Sequence, residues 1–265
     1  MPALTADLGM PTLLELEGFE QNAALCRSLG LQFVELNANL PAFQADERGL
    51  AGVGKLAERY GIGCSIHLDE NCCPFDFSRP VAEAYTQQVL SALRVARRWH
   101  FPVLVMHLPR GVYFTLPGKK AFLFEVYKPL FLESVRRFCD AVEQAVGGSG
   151  VRIALENTSG FPPFLREAAD LLLESEAFGL CWDVGHDYAC GCQDSDFIRA
   201  RLSRVIHFHL HDAVLTPVRQ DHLPPGGGEI PWETLLPVVQ SCRARCVLEV
   251  KTAEGLKRAA EFFRL

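Results

Sequence analysis

The stretch "RVIHFHLHDA", residues 204–213, carries a histidine at every second position and closes on an aspartate. A period of two belongs to a β-strand, so His207, His209 and His211 leave one face while Ile206, Phe208 and Leu210 leave the other. Alone, such a stripe is most simply a strand edge with solvated imidazoles. The remainder of the chain decides against that reading.

Short β-rich runs recur on both sides of it, at 2–8, 31–37, 62–69, 102–108, 151–157, 179–185, 204–211 and 246–251. Between them lie amphipathic segments at 19–29, 46–60, 80–99, 119–146 with a break expected at Pro129, 164–176, 194–202, 231–243 and 253–263. Gly or Pro punctuates the junctions, as in "SLGLQF", "RYGIGC" and "WHFPVL". Strict β/α alternation without a linker predicts one parallel-stranded unit. Eight repeats in 265 residues predict a single α/β domain over 1–265, a (β/α)8 TIM barrel, because an open doubly wound sheet would leave two edges unpaired.

Composition narrows the partners. At 49% hydrophobic residues and a net charge of −6, with no Lys/Arg run longer than two, the chain has no basic footprint for a nucleic-acid backbone. A small-molecule substrate is expected instead, with a homo-oligomer compatible with the composition. The first residues, "MPALTADLGMPT", lack the basic and apolar regions of a signal peptide, and no apolar run reaches the roughly 18 residues of a membrane span. The ten cysteines are scattered, with Cys72-Cys73 and Cys190-x-Cys192 rather than paired C-x-x-C knuckles. A reduced, cytoplasmic setting is expected.

In a TIM barrel, chemistry gathers where strands end. The third strand ends near His67, the fourth near His107, the fifth near Glu156 and the sixth at Asp183 with His186 three residues on. His209 and His211 follow on the seventh, His222 in the loop after it, and Glu249 on the eighth. Parity places Ser65/His67, Val105/His107, Ala154/Glu156, Cys181/Asp183, His207/His209 and Val247/Glu249 on the barrel axis, while Ile66, Leu155, Trp182, Phe208, Leu248 and Val250 face the helices. Buried carboxylates demand compensation, and divalent cations supply it. A His/Asp/Glu set without clustered thiolates suits Zn2+ or Mn2+, in a site of one to three ions.

"SIHLDE", "VLVMHLP", "IALENT", "CWDVGH", "HFHLHD", "HLPPGGGEIPW" and "VLEV", in that order, resemble the endonuclease IV and xylose isomerase-like TIM-barrel superfamily, in which AP endonuclease family 2 and sugar phosphate isomerase/epimerase-like proteins fall. "FVELN", with Glu35, resembles the second strand of the epimerases. The resemblance implies Glu156, Asp183, His209 and Glu249 as ligands of one ion. In the phosphodiesterase branch it implies a second on His67, His107 and bridging Glu156, and a third on His186, His222 and an aspartate. At that last position stands Gln220, with Asp221 one residue out of register.

Two reactions fit this set. Two or three ions would hydrolyse a phosphodiester in a small molecule, nucleotide-like or attached to a cofactor such as a corrinoid; His67, His107 and His222 favour this as the leading expectation. One ion would instead serve isomerisation or epimerisation of a sugar or sugar phosphate, with Glu156 and Glu249 exchanging a proton. A binding protein with a dead site would lack ligands, and only Gln220 fits that description. For a phosphorylated substrate, Arg110 and the amides at Gly227 and Gly228 in "PPGGGE" are the expected contacts, with His211 at the rim. Lys119 and Lys120 read as solvated loop charges, His100 as a helix-end residue, His207 as support beneath His209, and Asp212 as a brace for the strand's end. Cys190 and Cys192 sit in the loop after Asp183 and His186, but two thiols alone rarely complete a metal site, so they read as outside it.

Overall fold

The computed structural model describes residues 6–44 and 49–263. Eight parallel strands close into a barrel: β1 (Leu8–Pro11), β2 (Phe33–Asn37), β3 (Gly63–His67), β4 (Val103–His107), then β7 (Arg152–Glu156), β8 (Phe178–Asp183), β9 (Val205–Leu210) and β12 (Arg245–Leu248), with β12 pairing back to β1. The chain forms one (β/α)8 barrel. The crossover helices are α1 (Gly18–Ser28), α2 (Ala51–Tyr60), α3 (Arg79–Trp99), α5 (Lys128–Val146), α6 (Pro163–Leu173) and α9 (Trp232–Cys242), with α10 (Ala253–Phe263) closing the circuit. Among the described residues no helix is long and apolar enough to cross a membrane.

Strand parity separates two cores. Ile66, Leu155, Trp182, Phe208, Leu248 and Val250 pack in the large layer between strands and helices. Val103, Val105, Ala154 and Cys181 form a small separate cluster inside the barrel. The register aligns the polar side chains of the same face: His107 lies opposite Glu156, Asp183 opposite His209, and Glu35 opposite Ser65. A one-residue slip in any pair would send a buried charge among the helices, so register is strongly specified.

The structure departs from the sequence reading in several places. The first strand is Leu8–Pro11 rather than 2–8, of which residues 2–5 lie outside the described set. The expected helix at 119–146 begins later. Tyr113–Leu116 (β5) pairs antiparallel with Lys119–Phe122 (β6) across Pro117-Gly118, a short helix α4 (Leu123–Val126) follows, and Pro129 lies in the first turn of α5 rather than breaking it. Proline costs nothing there, because first-turn amides have no helical acceptor. The helix expected at 46–60 is described from Ala51, with 45–48 outside the described residues, and the one at 194–202 shortens to α8 (Ser195–Arg199). Beyond β8, a short helix α7 (Val184–Ala189) holds His186. After β9 the chain turns into a second hairpin, β10 (Asp212–Val214) with β11 (Gln220–Leu223), which brings His222 back over the barrel mouth.

Asp212 anchors that return. Its buried carboxylate accepts from the amides of Ala213 (2.9 Å), Gly226 (2.8 Å) and Ile230 (3.0 Å) and from Trp232 Nε1 (2.9 Å). Gly228 packs so close to this carboxylate and to the Ala213 carbonyl that a Cβ would collide with both. Asp212→Ala would leave several buried donors without an acceptor and is expected to lower unfolding free energy by on the order of 3 kcal/mol. Urea denaturation of the metal-free protein measures it, and a loss below about 1 kcal/mol would contradict the anchoring role.

Candidate metal centre

The floor of the mouth is built upward from Glu35 on β2, which is fully surrounded by protein. One carboxylate oxygen accepts from His209 Nε2 at 2.8 Å; the other accepts from His207 Nε2 at 2.9 Å and from Ser65 Oγ at 2.8 Å. His209 therefore turns its other nitrogen, Nδ1, up into the site. That nitrogen lies 3.3 Å from Glu156 Oε1, 3.3 Å from Glu249 Oε2 and 3.7 Å from Asp183 Oδ2. One ligand atom from each of Glu156, Asp183, His209 and Glu249 falls within 4.8 Å of the others. His209 Nδ1 and Glu249 Oε2 are buried without a hydrogen-bond partner. A divalent cation answers that arrangement, because it accepts a lone pair from every member at once and neutralises their charge.

Two further groups flank it. His67 Nε2 and His107 Nε2 approach Glu156 Oε2 at 3.1 and 3.3 Å, and with Glu156 form a second cluster of ligand distance. The third consists of His186, His211 and His222, not of an aspartate with two histidines. Gln220 is exposed, while Asp221 supports the His222 ring at 2.9 Å through Nδ1. His211 is fully buried rather than at the rim. Its Nε2 donates to Asp183 at 3.0 Å, its Nδ1 accepts from the His222 amide at 2.8 Å, and its ring occupies the space a Cβ on Gly185 would need. Both nitrogens are thereby committed to holding Asp183 and the hairpin.

Electrostatics follow from this crowding. Burial pushes the Glu156 and Asp183 carboxyls up, but imidazoles override it: His209 and His107 beside Glu156, and His186 and His211 beside Asp183, hold both well below the usual range. Burial disfavours a charged His67, yet its hydrogen bond and charge interaction with Glu156 raise it to about 9. Against the same penalty, Asp183 and Glu156 raise His186 to about 9. Against burial, the Cys181 thiol and then the carboxylates of Glu249, Glu156 and Glu35 carry His209 well above its ordinary value.

The other expected contacts go elsewhere. Arg110 directs Nη2 to the Ser159 and Gly160 carbonyls, clamping the loop after β4 to the loop after β7. The amides of Gly226, Gly227, Glu229 and Ile230 are engaged by Asp212, Pro224 and Ala213, so the loop around Gly227 and Gly228 wraps an internal carboxylate. Lys120 sits over the Tyr113 ring at 4.2 Å and Lys119 is exposed on β6. His100 caps α3 in the left-handed conformation, its amide on the Ala96 carbonyl. Cys190 lies 3.9 Å from the Thr158 carbonyl and Cys192 is exposed; neither joins a metal-type group among the described residues.

Sequence reasoning assigned three participants no role at the site. Asn157 exchanges two 2.9 Å hydrogen bonds with the Asp183 backbone; Lys251 donates to Glu249 Oε1 at 2.8 Å; Glu35 carries the floor. Only the polar Glu inside the apolar "FVELN" run signalled any of them. A cavity of about 360 Å3 opens beside the cluster, lined by Thr12, Asn37, Asn39, Glu70, Glu249 and Lys251 among others. That size is ordinary for small-ligand sites. A larger groove of about 410 Å3 between α3 and α5 holds charges that pair with one another, Arg79 with Glu83 and Arg137 with Glu133, and no cluster of ligands.

Residues 23–265 match the family described as xylose isomerase-like TIM barrel. No curated protein matches by sequence. Among solved structures the chain is similar to a D-tagatose 3-epimerase-like protein (18% identity, 97% of this chain and 96% of the other, TM-score 0.78) and to D-psicose 3-epimerase from Clostridium cellulolyticum H10 (15%, 97% and 98%, 0.72). It is also similar to an IOLI protein described with a binding zinc atom (16%, 97% and 96%, 0.71). At these identities the likeness establishes the fold.

The imidazole shifts predict a pH profile for the metal-free protein. Groups raised to about 9 stabilise fully below their ordinary 6.5, and that contribution is lost as pH climbs through about 9. Glu156 and Asp183, held below 4.5 and 3.8, stabilise above those values and lose the effect as pH falls through their folded values. Thermal unfolding with chelator is expected to show Tm highest near about pH 5–6.5 and declining toward pH 9, with a shallower decline in His67→Asn. A Tm unchanged between pH 6.5 and 9 would refute the assignment.

Proposed function

The chain belongs to the xylose isomerase-like TIM-barrel family, and on that footing we propose that it is a metal-dependent isomerase or epimerase of a small sugar. The observation that carries the proposal is the Glu156, Asp183, His209, Glu249 group with its two buried atoms lacking partners. These residues would hold the ion, Zn2+ or Mn2+ by donor chemistry. When bound, it supplies Lewis-acid polarisation of a carbonyl and its neighbouring hydroxyl.

The chain's own residues do the rest. Glu156 has Oε2 fixed between His67 and His107, and Glu249 has Oε1 fixed by the Lys251 ammonium. Two oriented carboxylates in one dry site suit proton removal from the carbon beside a carbonyl by one and return to the opposite face by the other. The side chains of Asn37, Asn39 and Thr12 line the adjoining cavity with neutral polar groups suited to hydroxyls. Deep burial excludes water from the exchanging proton.

This reading takes up the alternative expectation in place of phosphodiester hydrolysis. Of the groups expected to greet a phosphate, Arg110 turns Nη2 to the Ser159 and Gly160 carbonyls and the Gly227 amide donates to the Pro224 carbonyl, beside the Gly226 and Ile230 amides on Asp212. Several of the similar structures are named as epimerases, a D-tagatose 3-epimerase-like protein and two D-psicose 3-epimerases among them. His67 and His107 then serve as partners of Glu156 and His186 as a partner of Asp183, while His222 is held by Asp221.

The reconstituted protein is expected to bind one ion per chain and to interconvert ketohexose epimers, with solvent deuterium entering at the epimerised carbon. Glu156→Gln and Glu249→Gln are each expected to lower kcat by about 10²–10⁴-fold. Two or three ions per chain together with turnover of bis-p-nitrophenyl phosphate, and no deuterium uptake from any ketose tried, would overturn the proposal.

A further inference from the structure

Glu35 touches neither the cavity's metal-type nitrogen nor any of the three ligand carboxylates, yet both of its oxygens are occupied by imidazoles of the same strand. His209 Nε2 donates to one at 2.8 Å and His207 Nε2 to the other at 2.9 Å, with Ser65 Oγ adding a third bond at 2.8 Å. We propose that Glu35 is a positioning residue that sets the affinity of the centre, by fixing the proton of His209 on Nε2 and so keeping the Nδ1 lone pair aimed at the ion.

The geometry carries this in three steps. An ionised carboxylate only accepts hydrogen bonds, so an imidazole nitrogen 2.8 Å from it must bear hydrogen. With Nε2 protonated, the neutral ring has its lone pair on Nδ1, the atom that faces Glu156, Asp183 and Glu249 and is buried without a partner. His207 and Ser65 hold the other oxygen, so the carboxylate cannot rotate away; β2, β3 and β9 lock the arrangement from three sides. Glutamine at position 35 has one acceptor and one donor. It can receive only one of the two Nε2–H groups, so one imidazole must change tautomer or lose its bond. His207 thus acts as a competitor for the same side chain, and its presence makes the role of Glu35 testable.

The inference rests on the metal reading above, and the experiment separates the two. Zinc or manganese chloride alone is titrated into chelator-stripped full-length protein by competition calorimetry, for the wild type, Glu35→Gln, Ser65→Ala and His207→Gln, with circular dichroism and metal-free Tm recorded for each. Glu35→Gln is expected to weaken metal binding about 10- to 100-fold. Ser65→Ala, which removes one of three donors, is expected to weaken it only a few-fold while remaining folded. In the zinc-loaded wild type, 15N spectra are expected to show His209 protonated on Nε2 and ligating through Nδ1, and Glu35→Gln to disturb that pattern. If Glu35→Gln does not fold, Ser65→Ala and His207→Gln carry the comparison through affinity and the His209 15N pattern. Variants that bind metal like wild type while only their metal-free Tm drops would overturn the positioning role. A wild type that binds no metal would overturn the metal centre itself.

Discussion

The carboxylates of Glu35, Glu156, Asp183 and Glu249 share the dry interior of one barrel, and the rest of the site answers their charge. In water each would be solvated at no cost. Inside the barrel each needs a positive or hydrogen-bonding neighbour, since an uncompensated buried charge costs several kcal/mol. Their neighbours are imidazoles, arranged so that each carboxylate has at least one within 3.3 Å. These carboxylates draw the His67, His186 and His209 rings toward their protonated forms, so one charge balance holds this part of the fold together.

The histidines divide into distinct jobs according to what occupies each nitrogen. His209 has one nitrogen on Glu35 and one free, which makes it a ligand in waiting. His211 has both nitrogens engaged, one on Asp183 and one on the His222 amide, which makes it a brace. His207 sits a layer lower on the same strand and shares Glu35 with His209. Equal spacing in sequence conceals this, because the alternation sets only the face and not the depth or the partner.

The loops above the floor decide what chemistry the floor performs. Arg110 turns Nη2 to loop carbonyls, and the Gly-rich loop's amides at Gly226, Gly227, Glu229 and Ile230 are bound into the protein's own framework. Asp212 organises that loop as an internal anion, which accounts for the glycine at 228 without any ligand. What remains open beside the cluster is a cavity with neutral amides and a lysine tied to Glu249. In barrel enzymes generally, one floor serves different reactions through its rim.

Eight β/α repeats were enough, by themselves, to determine the closed barrel, and alternating strand residues at His67, His107, Glu156, Asp183, His209 and Glu249 its inner face and the convergence of those side chains. They were legible because strand parity is local and burial of charge admits few solutions. The two hairpins were not legible: Lys119–Phe122 continues into a helical pattern, and residues 212–223 carry no strong alternation. Nor were the depth of His211, the engagement of Arg110 by loop carbonyls, or the Glu35 bridge to strand nine. Each of these joins residues far apart in the chain, up to 174 positions for Glu35 and His209. Only the closure of the barrel brings such pairs within hydrogen-bond reach, and so only the tertiary structure decides which nitrogen of which histidine remains free.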